Sequence, residues 1–405
     1  MKRTILSILL CAFLAPLSVS AQTLTVTVTN NESYQRQQLV ALNAYDVYKR
    51  LDINAGPHFI VKNKLGFQVP YQITYDGKIL LDVSVRPCGM AVFTITKGAP
   101  ATFRSYVFGR KHPERVDDIA WENDKCSYRL YGPALQRTGE DAYGIDVWLK
   151  NTPDLVNDFR YASEDKAKQT IAELKSAGKN AEIDSVTAVT SYHIDHGYGL
   201  DCYKVGPTLG CGAPALMQDG KIVFPYCYKD YEILDNGPLR FTVKLTYNPA
   251  TVGNDKNVIE QRIISLDKGS NFNKMTITYS GLSKDTRMCA GVVIHAEDTV
   301  SVKLGKNFVA YADPTDNPEG QNFQIYVAAL FPNGVDNTAK LMYSNPTRGN
   351  AGHAVGLCTA KNGVPYTYYF GSAWSKYDCQ SFDEWNTRIE KFMASQENPL
   401  NVKIQ

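Results

Sequence analysis

Leu239-Arg-Phe-Thr-Val-Lys-Leu-Thr-Tyr247, Val258-Ile-Glu-Gln-Arg-Ile-Ile-Ser-Leu266 and Asn273-Lys-Met-Thr-Ile-Thr-Tyr279 follow one another closely. All three are rich in the β-branched and aromatic residues that fit a pleated, half-buried surface. Asp267-Lys-Gly-Ser270 lies between the second and third and reads as a hairpin turn. Strands this long need a large sheet, and a sheet with one apolar face needs a second layer against it. Ala290 to His295 supplies a further strand. Ser301 to Leu304 and Phe308 to Tyr311 read as another pair turning at Gly305. The chain is therefore expected to be mainly β, with a large two-sheet antiparallel super-sandwich as its body.

Working back from that region, Leu24-Thr-Val-Thr-Val-Thr29 alternates strictly, which is strand periodicity. Short strands follow at Phe59–Val61, Tyr71–Thr74, Ile79–Val83 and Ala91–Ile95, with turn signals at Asp76-Gly77 and Cys88-Gly89. Val40 to Ile53 fits either a strand pair or a short helical turn. Residues 22–98 read as a smaller N-terminal β-sandwich unit, and Gly98-Ala-Pro-Ala101 reads as a linker into the main domain, 99–405. Helices are few. A helical insertion is expected near 154–179, with Gly178 as its stop, and a C-terminal helix from Asp383 to about Met393, capped by Ser381 or Asp383.

The beginning of the sequence sets the compartment. Lys2 and Arg3 precede an apolar run from Ile5 to Leu17, and Val19-Ser-Ala21 ends it with small residues. That order is a secretory signal, too short to span a bilayer, with cleavage before Gln22. The expected location is periplasmic or secreted. Loss of Lys2 and Arg3 leaves 41 basic against 41 acidic residues. So even a balance gives no electrostatic footprint for nucleic acid or an anionic membrane surface. Eight cysteines follow the signal, from Cys88 to Cys379. An oxidising compartment permits disulfides among them, and a core of this size does not require any.

Three segments carry unusual chemistry. The first, Glu114 to Gly132, gathers Arg115, Asp117, Asp118, Trp121, Glu122, Asp124, Arg129 and Tyr131. Salt bridging along a sheet is the plain reading of such a mixture. The functional one is a sugar cleft, where arginine forks hold a carboxylate and indole faces stack on a pyranose. The second segment, Tyr192 to Gly206, holds two of only six histidines, His193 and His196, with Asp195 and Asp201. Glycines 197, 199 and 206 break any helix there, so the pair sits on a loop or strand edge. It suits proton transfer or, with Asp201, a divalent metal; a hydrogen-bonded structural loop is the bland alternative. The third, Tyr368 to Lys376, offers Trp374 and Lys376, a pair that is more often core plus surface charge. His58, His112, His295 and His353 are assigned to structure. Gly210-Cys-Gly212 reads as a tight turn and lacks the ending of a phosphate loop.

These segments, in order, resemble a bacterial exported family, domain of unknown function 4861. The likeness rests on Pro113-Glu-Arg115, Trp121-Glu-Asn-Asp124, Arg129-Leu-Tyr-Gly-Pro133 and Gly144-Ile-Asp-Val-Trp148. It continues through Tyr192-His193, Gly199-Leu-Asp201, Tyr203-Lys-Val-Gly206, Asn236-Gly-Pro-Leu-Arg240 and Gly371 to Trp374. Ala213 departs from the pattern, standing where a second glycine is expected. The resemblance implies a galactose-mutarotase-like fold and a role among polysaccharide-degrading proteins, often beside enzymes acting on uronic-acid glycans.

On that footing the expected activity is β-elimination on a uronic-acid-containing oligosaccharide, by a lyase or a dehydratase route. His193 or His196 would take the proton, Arg115 or Arg129 would neutralise the carboxylate, and Tyr131 or Tyr192 would protonate the leaving oxygen. Asp201 would orient a histidine, and Trp121 and Trp148 would hold the ring. Asp118, Asp146, Trp374 and Lys376 complete the expected substrate contacts. No cofactor is expected, with divalent metal on His193, His196 and Asp201 as the alternative. Two rival readings stand: a glycoside hydrolase pairing Glu122 with Asp118 or Asp146, and a glycan-binding accessory protein without turnover. The compartment has a direct check: the chain exported by a bacterial host should begin at Gln22 by mass spectrometry, and retention of Met1 to Ala21 would refute it.

Overall fold

The computed structural model describes residues 22–295, 301–315, 322–347 and 349–405; the signal segment, residues 1–21, lies outside them. The expected super-sandwich is present. One layer is a nine-stranded antiparallel sheet. It runs from Tyr228–Asn236 through Arg240–Tyr247, Asp255–Asp267, Phe272–Ser280, Tyr366–Trp374, Ile325–Leu330 and Phe308–Asp313 to Val302–Leu304, and the ninth strand, Ala250–Val252, pairs with Asp255–Asp267 off this path. The facing layer has two parts. Four strands, Phe108–His112, Asp118–Glu122, Ser127–Leu130 and Ile145–Trp148, adjoin five others built around Cys211–Gln218, Thr286–Ile294 and Asn350–Ala360. A parallel bridge between Ile145 and Gly210 connects the parts.

Strand alternation explains how the layers bond. Phe241, Val243 and Leu245 point inward from one sheet, and Ile119, Trp121, Tyr128 and Val147 from the other, forming one continuous core. Close approach demands glycine at one inward position. A Cβ on Gly212 would lie 2.1 Å from Phe370 Cβ, at a φ of +91°. The Gly210-Cys211-Gly212 segment is thus less a turn than the start of a bulged strand. The outer face of the nine-stranded sheet is covered by the helix Phe382–Glu397, whose Trp385 stacks on Phe272. Of the two expected caps, Ser381 serves: its Oγ accepts from the Glu384 N–H at 3.1 Å.

The smaller unit is also a sandwich, with Thr23–Thr29, Met90–Lys97 and Phe59–Asn63 facing Arg36–Asn43, Lys78–Val85 and Tyr71–Ile73. It is not contiguous in sequence. Asn401–Ile404, the last strand of the chain, pairs with Thr23–Thr29 at its edge, so the unit takes residues from both ends. The ambiguous Val40 to Ile53 stretch contains the end of one strand and a helix, Ala44–Leu51, capped by Asn43. The helical insertion is Asn157–Ser176, ended at Gly178 with φ +72°. A second helix, Asn180–Thr190, follows it. The sequence reading missed it because Val, Thr and Ile are weak helix formers.

Gly212→Ala would place a methyl against Phe370 on a backbone that L-residues avoid. It should cost about 2–4 kcal/mol, measured by urea unfolding, whereas Gly220→Ala, with open space around it, should lose only its backbone share.

Candidate functional site

The outward face of the four-stranded part should be hydrophilic and exposed by simple alternation. It is hydrophilic and buried. Asp118, Ala120 and Glu122 point outward from one strand, Ser127 and Arg129 from the next, Asp146 and Trp148 from the third. The helix Asn157–Ser176 and the loop from Tyr192 to Tyr203 close over them, with Trp148, Tyr161, Tyr192 and Ala120 packed as a small separate cluster.

At the centre lies Arg129, 4% exposed. It opposes Asp146 across the ladder, and its Nε donates to Asp146 Oδ2 at 2.8 Å. Its Nη2 donates to Asp201 Oδ2 at 2.9 Å, and Asp118 Oδ2 lies 3.9 Å from Nη1. Tyr131 donates its hydroxyl proton to Asp146 at 3.2 Å. The guanidinium also lies 4.8 Å from the Trp148 ring and 5.0 Å from that of Tyr131. Among the described residues, three buried polar atoms here have no hydrogen-bond partner: Arg129 Nη1, Asp118 Oδ1 and Trp148 Nε1. Buried polar atoms are rarely left so, and their concentration marks a place prepared for a ligand.

Charge states follow from burial. Desolvation pushes the Asp118 carboxyl up to about 6, even though Arg129 and Arg115 pull the other way. Burial raises Asp146 as well, against Arg129. The Tyr131 and Tyr192 hydroxyls are driven upward by the same desolvation, which keeps both as phenols.

Arg115 is held differently. Val116 and Asp117 adopt φ of +46° and +67°, a strained corner that turns the chain between Arg115 and Asp118. Tyr228 fixes that corner by donating to the Asp117 carbonyl at 2.5 Å. Gly132 lets it seat, since a Cβ there would be 2.1 Å from the same oxygen. Arg115 Nε points to the Tyr192 hydroxyl at 3.4 Å. Among the described residues no carboxylate lies within ion-pair distance of Arg115, so its positive charge is uncommitted.

The histidine loop is anchored at three points. Asp201 N–H donates to the Tyr192 carbonyl at 2.8 Å, Trp148 and Asp201 form a bridge, and Arg160 donates to the Leu149 and Tyr198 carbonyls. Lys376 is ion-paired with Asp195, whose other oxygen accepts from Gly197 and Gly199. His193 donates from Nδ1 to the Asp201 carbonyl at 2.8 Å. A carbonyl only accepts, so the neutral ring presents Nε2 as its free base. The orienting group is thus the Asp201 backbone, with the carboxylate 3.9 Å away. The His193 ring lies 4.7 Å from that of Tyr192, and its side chain is 61% exposed at the edge of the cluster.

The fold therefore gathers Arg115, Asp118, Arg129, Tyr131, Asp146, Trp148, Tyr192, His193 and Asp201. It leaves the other expected residues elsewhere. Trp121 faces the opposite side of its strand, inside the core, where its Nε1 donates to Asn273 at 2.8 Å and its ring stacks with Phe241; no face is free for a sugar. Glu122 is spent on structure: Oε2 accepts from Lys150 at 2.6 Å, and Oε1 accepts the Val156 and Asn157 N–H groups at the start of a helix. Trp374 is buried, donating to the Asn322 carbonyl, and Lys376 braces the loop through Asp195. His196 donates from Nε2 to the Ser191 carbonyl at 3.0 Å, apart from the His193 contact. His193, His196 and Asp201 do not converge, and among the described residues no group of three His, Cys, Asp or Glu is placed to hold a metal. The eight cysteines of the described residues are free thiols.

Sequence reading missed Arg160 and Tyr161, which lie on the covering helix, and the pair His295–Asp313. His295 Nδ1 is 2.5 Å from Asp313 Oδ2, and its ring is 5.5 Å from Tyr203. Burial disfavours its charged form, but Asp313 overcomes this and raises the histidine. His295 directly follows the strand Thr286–Ile294 and Asp313 ends a strand of the other layer, so spacing carried no hint of the contact.

A two-layer β super-sandwich with a buried, charge-dense face beneath a histidine loop is the class of protein that fold and site define. The chain belongs to the family described as domain of unknown function 4861, whose model matches residues 28–402. Uncharacterized protein P7 of Formosa agariphila is 28% identical over 341 residues, 81% of this chain and 78% of that protein. Among solved structures, an alpha-mannosidase from Enterococcus faecalis is similar over 95% of this chain, with 10% identity and a TM-score of 0.51. A protein in the glycosyl hydrolase family 38 from the same organism gives the same score and identity. This chain spans 46% and 47% of those two chains. At such identity the likeness shows the fold.

Asp118 gives a pH test. Its unfolded carboxyl titrates near ~3.9, and its folded one near 6. Below the first value both states are protonated and nothing is lost; between the two, stability falls as pH rises; above the second the loss is complete. Asp118→Asn should therefore stabilise the chain by about 1–3 kcal/mol at pH 8 and not at all at pH 3.5, read from denaturant unfolding at both pH values.

Proposed function

We propose that this protein is an exported carbohydrate-active enzyme that acts on uronic-acid-containing oligosaccharides by β-elimination. The observation that carries the reading is the uncommitted Arg115 guanidinium touching the Tyr192 hydroxyl, with the His193 ring against the same tyrosine. Elimination needs a cation for the sugar carboxylate, a base for the adjacent proton and an acid for the leaving oxygen.

In this reading Arg115 takes the carboxylate in a bidentate fork and stabilises the charge that develops on it. His193 Nε2 removes the proton from the carbon bearing that carboxylate. The C–H electrons form the new double bond, the neighbouring C–O bond breaks, and Tyr192 or Tyr131 gives its proton to the departing oxygen. If that oxygen belongs to a glycosidic bond the product is a shortened chain and an unsaturated uronide. If it belongs to a hydroxyl, water leaves. Arg129 is less suited to clamp substrate because Asp146 and Asp201 already hold it; its free Nη1 and Asp118 Oδ1 form a polar floor for sugar hydroxyls. Carbohydrate-active neighbours in fold space and the family resemblance support a saccharide substrate; the placement of Glu122 removes the support for a hydrolase built on it.

Purified protein incubated with pectic and glucuronic oligosaccharides should develop the ultraviolet absorbance of an unsaturated uronide. Arg115→Gln should lower kcat/KM at least about 100-fold, and His193→Ala should lower kcat by about 10²–10⁴, with unfolding midpoints near wild type because both side chains are partly exposed. A new reducing end without absorbance would instead mean hydrolysis, and saturable binding with unchanged oligosaccharide would mean an accessory role. Either result defeats the elimination.

A further inference from the structure

A cleft lies between the N-terminal unit and the super-sandwich, apart from the cluster around Arg129. Its volume is about 730 Å³, within the range of built ligand sites. One wall is the segment from Tyr34 to Leu39, the other the helix face from Arg388 to Gln396, and the turn Asp267 to Ser270 forms the floor.

Its charge is strongly one-sided. Lys125, Arg240, Lys268 and Arg388 line it, joined by Arg36, Lys274 and Lys391, against the lone carboxylate of Asp267 among the lining residues. Acidic partners quench the first four. Asp267 holds Arg240, Asp82 holds Lys268, and Asp378 is shared by Lys125 and Arg388, with Glu384 also on Arg388. Asp124 Oδ1 accepts from the Gly269 N–H of the floor at 2.7 Å. The last three cations are different: among the described residues none has a carboxylate within ion-pair distance. Lys274 and Lys391 are exposed, and Lys391 lies 5.8 Å from the Tyr34 ring.

Arg36 is the informative one. It is 5% exposed, and its donors meet only neutral acceptors: the Asn398 carbonyl at 2.6 Å, Gln38 Oε1 at 2.8 Å and the Ser395 carbonyl at 3.3 Å. Its Nε is buried with no partner. A buried guanidinium without a counter-ion is costly, and an anion in the cleft would relieve that cost.

We propose that this cleft binds an acidic oligosaccharide, through carboxylate or sulfate groups spaced along the chain, at a site separate from the Arg129 cluster. Three separated positive charges suit anionic groups on successive sugars better than one compact anion. Gln35, Gln37, Gln38 and Gln396 supply partners for hydroxyls, and Tyr34, Tyr369 and Phe392 supply ring faces. The proposal does not depend on the elimination chemistry.

Calorimetric titration of the mature chain carrying Arg115→Gln isolates the cleft, because that change strips the first site of its free cation. A galacturonan tetrasaccharide and a sulfated tetrasaccharide separate the two anionic groups. Cellotetraose, inorganic sulfate and a short single-stranded oligonucleotide are the controls. One acidic saccharide should bind with an affinity that falls as salt rises, and cellotetraose should not. Lys274→Gln with Lys391→Gln, both at exposed positions, should weaken that binding at least about tenfold without moving the unfolding midpoint. The proposal is overturned if no acidic saccharide binds, if the double change leaves affinity intact, or if inorganic sulfate or the oligonucleotide binds more tightly than either saccharide.

Discussion

Arg129 is a full positive charge set on the outward face of a sheet and then sealed from water. Such a charge survives only when opposite charges and hydrogen bonds replace its hydration. Asp146 supplies one carboxylate from the neighbouring strand, Asp118 another from the adjacent strand, and Asp201 a third from a loop some seventy residues further along. That last contact makes the loop part of the sheet's electrostatics. The loop cannot lift away without stranding Arg129, so its histidine is held at a defined place.

Excess negative charge in the group has its own effect. Three carboxylates around one arginine cannot all be comfortable as anions in a dry site, and Asp118, desolvated by burial, titrates high. Arg115, a step away across the corner at Val116 and Asp117, has no carboxylate within ion-pair distance among the described residues. The site is thus divided. Beneath lies an ion-paired layer around Arg129 that fixes geometry, and at the rim lies Arg115, which can take a substrate's charge.

Much of this was legible in the sequence because strands announce themselves by composition and length. The runs from Leu239 to Tyr279 gave the large sheet, and the Gly178 and Ser381 signals gave helix ends. Most residues of the cluster were legible as a set because polar groups crowd around Arg129 and Tyr192 in two short stretches, with Asp146 and Trp148 lying between them. Their facing was not. Trp121 and Glu122 are neighbours of Asp118, yet a period of two sends Trp121 into the core, and Lys150 with a helix start claims Glu122. Such competition for one side chain is decided by tertiary partners, which no local pattern records. The same holds for His295, whose carboxylate partner comes from a strand of the other layer, and for Arg36, whose setting exists only where two units meet.

The pairing of Asn401–Ile404 with Thr23–Thr29 has a consequence in time. During synthesis Thr23–Thr29 emerges early, but Asn401–Ile404, the strand that covers its edge, is made only long afterwards. Until then a run of alternating Thr and Val keeps one row of amide and carbonyl groups unsatisfied, the kind of edge that recruits stray partners. Two segments far apart in the sequence close on each other like a clasp, and a unit begun early in translation is finished only when its distant strand arrives.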